Sequence, residues 1–224
     1  MDSIRLRYQT MEIGNLDIHL RTLRDNQQFS DNEGVAEALG ISSATWPLFG
    51  VVWDSGHVLA QLMSDHPIAN KRILEIGCGI GLASLVLNER EADITATDYH
   101  PEAGDFLSEN VALNSGRKIP FVRTGWADIA SSLGRFDMLI GSDLLYEQEH
   151  AELLAAFVQQ QANPTCEVLL VDPGRGHHAR FSRMMVAQGF THSQAPIDTS
   201  AFLEKPFGGQ VLRYARGVSA PATG

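Results

Sequence analysis

Three groups of residues have the types and spacing to do chemistry, and each stands at the end of an apolar run. The first is Glu75-Ile-Gly-Cys-Gly-Ile-Gly81, where β-branched residues meet three alternating glycines just ahead of a helical apolar pattern. Glycine lacks the Cβ that blocks positive φ or close approach, so Gly77, Gly79 and Gly81 let a turning backbone come near a ligand. A dinucleotide fingerprint would need its third glycine where Leu82 stands, and this spacing therefore disfavours NAD and a pyrophosphate. The second is Asp98, which closes the next apolar run 21 positions beyond Gly77, a separation at which an acid can grip ribose hydroxyls. The third comprises polar residues at later strand ends: Trp126 and Asp128, then Ser142-Asp-Leu-Leu-Tyr146, then Asp172-Pro-Gly-Arg175. Open α/β sheets bind ligands at such ends.

E-x-G-x-G-x-G followed by an acidic second strand end resembles the class I, seven-β-strand, S-adenosylmethionine-dependent methyltransferases. Asp143-Leu-Leu-Tyr146 resembles the D-x-x-Y signature of their protein lysine methyltransferase-like branch. The resemblance covers roughly Trp46 to Arg216. It implies S-adenosylmethionine as cofactor, held by Trp53, Glu75, Gly77, Gly79, Gly81, Asp98, Trp126, Asp128 and Ser142, with Asp143 and Tyr146 as the catalytic pair. Trp53 would border the cofactor pocket, ordinary core packing being the alternative. Trp126 would flank the adenine and Asp128 accept its exocyclic amine; alternatively, Trp126 packs and Asp128 caps a helix beginning at Ile129.

The related N-P-P-Y motif, used on amides and base amines, needs a neutral amide and two prolines, which positions 143 to 145 lack. A carboxylate beside the transfer point suits an amine that arrives as a cation. Exposing the neutral amine of a lysine at pH 7 costs roughly 4.6 kcal/mol, which desolvation and a nearby sulfonium would reduce. Arg175 is expected either to meet an acidic substrate surface or, preferentially, to pair with Asp172. His177 and His178 are adjacent rather than four apart, so no metal is expected. His19 falls on a strand as a surface or packed residue.

The elements that must position these groups alternate between strand and helix from Lys71 onward, which implies a doubly wound parallel sheet. Strands are expected at 72–76, 93–98, 120–123, 136–142, 167–172, 190–194 and 210–216, with helices at 51–63, 82–87, 102–114, 148–161 and 179–188. The seven-strand count agrees with class I methyltransferases, whose last strand runs antiparallel. Ahead of this domain, 4–10 and 16–23 alternate apolar and polar residues around Gly14-Asn15, a β-hairpin. The organisation expected is a hairpin and brace segment at 1–45, with Asp31-Asn32 capping a short helix through Ala38. A Rossmann-like methyltransferase domain follows at 46–216, and a frayed tail at 217–224.

A chain of 224 residues with 44% hydrophobic content can bury one full core. Net charge of −10 offers no basic footprint for nucleic acid. Two cysteines are too few for a disulfide framework, and no run approaches the ~18 apolar residues of a membrane span. A cytoplasmic N-methyltransferase is expected, with a protein lysine side chain favoured as acceptor. A small-molecule enzyme of the nicotinamide type, histidine methylation and a non-catalytic cofactor-binding module are the alternatives.

Overall fold

The computed structural model describes residues 4–128 and 133–217. In chain order the elements are β1 (Leu6–Ile13), β2 (Leu16–Leu23), α1 (Val35–Ala38), a 3-10 turn (Trp46–Gly50), α2 (Asp54–Asp65), β3 (Arg72–Ile76), α3 (Leu82–Glu89) and β4 (Asp93–Asp98). Then come α4 (Ala103–Leu113), β5 (Phe121–Arg123), β6 (Phe136–Ser142), α5 (His150–Gln161), β7 (Ala162–Asp172), α6 (His178–Ala187), β8 (Thr191–Ala195) and β9 (Gln210–Arg216).

Seven strands form one sheet in the order β5-β4-β3-β6-β7-β9-β8. Six strands point one way, five of them pairing in parallel, and β9 runs antiparallel to both of its neighbours, β7 and β8. The chain leaves β3 toward β4 on one side and returns to β6 on the other, so the sheet order reverses beside the carboxyl end of β3. Alternation along the strands splits the core into two layers. Ile73, Met138 and Ile140 pack with α2, α3 and α4 on one face, while Leu74, Ile76 and Leu139 pack with α5 and α6 on the other. The fifth sheet strand is longer than its apolar stretch. Residues 162–166 join it because Ala162 pairs with Phe136 before a register irregularity, and Asn163 Nδ2 donates to Asp137 at 2.7 Å.

The hairpin forms as expected, with all eight residues of β1 paired to β2 and Gly14 at φ 61 in the turn. Its inner face is part of the main core: Ile13, Ile18, Leu20 and Leu23 are all at most 2% exposed within the same core layer as α2, α3 and α4. At about 1.5–3 kcal/mol for each large apolar side chain, those four contribute roughly 6–12 kcal/mol. That matches the net stability of a whole domain. Helix α4 also satisfies the outer edge of β2: Asn110 Oδ1 accepts from the Arg21 amide at 2.6 Å and Asn114 Oδ1 from the His19 amide at 2.8 Å. His19 stays at the surface, bonded to Thr10. Asp31 receives the amides of Ala36 and Glu37, the cap expected for the short helix. The tail beyond Gly217 and the helix expected from Ile129 lie outside the described residues.

Candidate active site

The groups singled out above gather along the carboxyl edge of β3, β4, β6 and β7. Immediately after β3 the backbone turns left-handed at Gly77, Gly79 and Gly81, with φ of 62, 54 and 80. All three positions are crowded as well as left-handed, a Cβ on Gly77 standing 2.7 Å from Leu144 Cδ2. A Cβ on Gly79 would stand 2.8 Å from the carbonyl oxygen of Phe49, and one on Gly81 would stand 2.3 Å from Leu107 Cδ1. The glycines thus let protein neighbours close in around the loop as well as shaping its turn. Glu75, 4% exposed, points into the first turn of α3, where one carboxylate oxygen accepts from both the amide and the hydroxyl of Ser84. Burial pushes its pKa up to about 7 against those two bonds, and Asp98 adds to the rise. A carboxylate at a helix N-terminus is favourably placed, so Glu75 fixes α3 under the loop.

Asp98 ends β4 with its carboxylate against the loop. Oδ2 accepts from the Gly79 amide and Oδ1 from the His100 amide, both at 2.8 Å. Desolvation raises its pKa despite those amide bonds and that of Tyr99. Each oxygen keeps a second lone pair, and the left-handed turns at Gly77, Gly79 and Gly81 bring loop backbone up beside it. This donor and acceptor set fits the diol and chain of a nucleoside such as S-adenosylmethionine. His100, which sequence reasoning passed over, stacks on Phe49 at 3.9 Å between ring centroids and meets Trp46 edge-on at 5.3 Å. That stack seats the Trp46–Gly50 turn across the glycine loop. Nothing local signals it, since the partners are some fifty positions apart. Burial lowers the His100 pKa to about 4, with Asp31 opposing. Trp53 stands at the N-cap of α2, partly exposed, and donates Nε1–H to the Leu48 carbonyl at 2.8 Å.

Past β5, Asp128 closes its own turn: Oδ2 accepts from the Gly125 amide at 2.6 Å and lies 3.5 Å from Thr124 Oγ1. Trp126 is half-buried and meets His150 edge-on at 5.0 Å, and His150 in turn meets Tyr146 at 4.3 Å. An aromatic row therefore joins the β5 end to the β6 end. Its middle member, His150, carried no sequence signal beyond its place at the start of a helix. Ser142 ends β6, with its Oγ 3.7 Å from where a Gly56 Cβ would stand.

Asp143 follows at φ 51, and its carboxylate is forked by Arg175, with Nε and Nη2 each at 2.6 Å. The expected pairing of Arg175 with Asp172 is therefore corrected. Asp172, at 3% exposure, instead takes the Gly174 amide at 3.0 Å and lies 3.3 Å from His178 Nδ1. The left-handed turn at Asp143 swings its side chain toward the neighbouring loop, which spacing along the chain cannot reveal. Tyr146 is half exposed; desolvation and the carboxylates of Glu147, Asp98 and Asp143 raise its pKa, with Arg175 opposing. Among the described residues no cluster of three metal-binding side chains occurs, and no helix is long and apolar enough to cross a membrane.

A doubly wound sheet of this order, with a glycine loop after its first strand and an acid ending the second, defines the class I methyltransferase fold. The T. thermophilus 16S rRNA methyltransferase RsmC, solved in complex with AdoMet and guanosine, superposes with a TM-score of 0.66 at 13% identity. That match covers 96% of this chain and 51% of RsmC. Within the class, a family model described as lysine methyltransferase matches residues 42–185, and the chain belongs to that family. The electron transfer flavoprotein beta subunit lysine methyltransferase of Xenopus laevis is 29% identical over 140 residues, covering 61% of this chain and 55% of that protein. The calmodulin-lysine N-methyltransferase of Arabidopsis thaliana is 26% identical over 136 residues, covering 55% and 45% respectively. The chain spans about half the length of these curated relatives.

Proposed function

We propose that this protein is an S-adenosylmethionine-dependent N-methyltransferase acting on a lysine side chain of a protein. The observation that carries the reading is the meeting of two sites on one sheet edge. A nucleoside-type grip, formed by Asp98 and the glycine loop, adjoins a carboxylate and a phenol at Asp143 and Tyr146. The cofactor would supply an electrophilic methyl group on a positively charged sulfur. Asp98 and the loop backbone would hold its ribose and chain, with Trp53, Trp126 and Ser142 beside them. Glu75 and Asp128 act indirectly, the first by anchoring α3 and the second by closing the turn that presents Trp126.

On the acceptor side Asp143 attracts an ammonium and Tyr146 orients its N–H groups. Loss of one proton to solvent frees the lone pair, and no strong base is required. Positioning supplies much of the remaining rate. Relatives named as lysine methyltransferases support a protein acceptor, and an acidic chain suits a cationic one. Two buried, unpaired cysteines accord with a reducing cytoplasm.

The test is to incubate the purified protein with methyl-labelled cofactor and a cell lysate, then to hydrolyse the protein fraction and separate methylated amino acids. Label in methyl-lysine is expected. Asp143→Asn should slow transfer roughly 10- to 100-fold, since a hydrogen bond to a charged group contributes about 1.5–3 kcal/mol, and Tyr146→Phe should be milder. Label confined to small molecules, or an Asp143→Asn variant working at the wild-type rate, would defeat the lysine reading.

A further inference from the structure

The loop between β7 and α6 does something that methyl transfer does not itself require. Asp143 is held fast: its backbone sits in the left-handed region at φ 51, and its amide donates to the Val171 carbonyl at 2.9 Å. The guanidinium that forks it comes from a backbone of the opposite character. Arg175 lies between Gly174 at φ 93 and Gly176 at φ 94. Nothing stands within 4 Å of where a Gly176 Cβ would be, and the nearest atom to a Gly174 Cβ is the Gly208 carbonyl oxygen at 3.9 Å. The Arg175 side chain is 46% exposed against 16% for Asp143. A fixed carboxylate thus faces a charged fork carried between two left-handed glycines whose surroundings are uncrowded, with the Gly174 amide bonded to Asp172 at the base of the loop.

We propose that Arg175 is a built-in stand-in for the acceptor: its guanidinium occupies the Asp143 carboxylate in the resting protein, and a cationic acceptor side chain takes that carboxylate only by displacing it. This rests on the reading of Asp143 as the acceptor site and deepens it. Both Asp143 oxygens are used by Arg175, so an incoming ammonium finds a neutral pair rather than a bare anion. A free amine must compete with a cation tethered at an effective concentration in the millimolar range or above. A lysine on a docked protein brings contact energy from the rest of its surface and can pass the same barrier. Arg175 therefore acts as a specificity-determining residue that filters small amines from protein acceptors.

The experiment uses the full chain loaded with S-adenosylhomocysteine, and n-butylammonium chloride as a probe with the charge and reach of a lysine side chain. Binding is followed by NMR titration, together with the Arg175 Nε–H resonance, identified by its loss in Arg175→Ala. In wild type that resonance should shift as the probe displaces the fork. Arg175→Ala should bind the probe about 3- to 10-fold more tightly at low ionic strength, a range set by the half-exposed position of the pair. Arg175→Lys should fall between the two, because an ammonium cannot fork a carboxylate. The gain should shrink in about 0.5 M NaCl and vanish when Asp143→Asn is added.

A merely structural Arg175 predicts weaker binding on its removal, not stronger. An Arg175→Ala protein that binds the probe no more tightly than wild type overturns the proposal, as does a gain that survives Asp143→Asn. The lysate experiment separates the two ideas. Methyl-lysine formation without a binding gain in Arg175→Ala sinks the stand-in alone. A gain accompanied by label on another acceptor sinks the lysine reading alone.

Discussion

Replacing Glu75 by glutamine should flatten part of the pH dependence of stability. The carboxyl is almost fully buried beneath α3, and burial raises its pKa from 4.5 to about 7. An acid whose pKa rises on folding holds its proton longer in the native state than in the unfolded one. Its contribution is therefore most favourable below about pH 4.5, declines as pH rises through the window, and is fully lost above about pH 7. The span is about 2.5 units at 1.36 kcal/mol each, or about 3 kcal/mol, a large share of a typical domain stability of about 5–15 kcal/mol. Glutamine can still accept from the Ser84 amide and hydroxyl but carries no charge to desolvate. Glu75→Gln should therefore gain about 3 kcal/mol on wild type between about pH 4.5 and 8. Urea melts of both proteins at half-unit steps would read this, since a slope of about 2–3 kcal/mol per molar converts it to a relative midpoint shift of roughly 1 M. Parallel midpoint curves across the range would refute the reasoning, because they would mean that the native carboxyl titrates where the unfolded one does.

Asp98→Asn puts an NH2 group against the Gly79 or His100 amide and removes a charged acceptor, so affinity for S-adenosylhomocysteine should fall roughly 10- to 100-fold by calorimetry. Unchanged affinity in the folded variant would remove Asp98 from the ribose contact. Gly81→Ala forces a side chain into φ 80 and against Leu107. A loss of about 1–2 kcal/mol for the backbone alone should lower Tm by roughly 2–8 °C, and an unchanged melt would show that the loop relaxes freely. Asn110→Ala strips partners from the Arg21 amide and the Ile80 carbonyl, at a cost of about 2 kcal/mol. Hydrogen exchange should quicken in β2, and unaltered β2 protection would mean that the hairpin is held by its apolar face alone.

What sequence made legible was whatever depends on neighbours along the chain. Alternating strand and helix patterns, the Gly14-Asn15 turn, the Asp31 cap and the glycine loop with Asp98 are all local, and each is where the residues implied. The carboxyl-edge grouping followed from the sheet type alone. What stayed hidden depends on side chains that meet across long separations. Arg175 reaches Asp143 across 32 positions because a left-handed residue turns the carboxylate aside, and no pattern encodes that turn. The stack of His100 on Phe49 and the row from Trp126 through His150 to Tyr146 are equally non-local. The bonds that Glu75 makes to Ser84 and Asp128 to Gly125 are further contacts that their motif positions did not spell out. The same residue type serves a helix end or a tight turn just as well, and only geometry distinguishes the uses.

The asparagine clamp on β2 has a consequence for how the chain is made. The amides of Arg21 and His19 are satisfied by side chains 89 and 95 positions further on. At a synthesis rate of about 5–20 residues per second, the ribosome completes the hairpin roughly 5–20 seconds before α4 exists to receive it. A two-stranded hairpin is marginal alone in water. Through that interval Ile13, Ile18, Leu20 and Leu23 lack the part of their core layer that α4 supplies. The hairpin thus emerges well ahead of α4 and settles fully only after it. A newborn chain presents a short apolar ribbon to whatever holds nascent proteins, and the arrival of Asn110 and Asn114 closes that exposure.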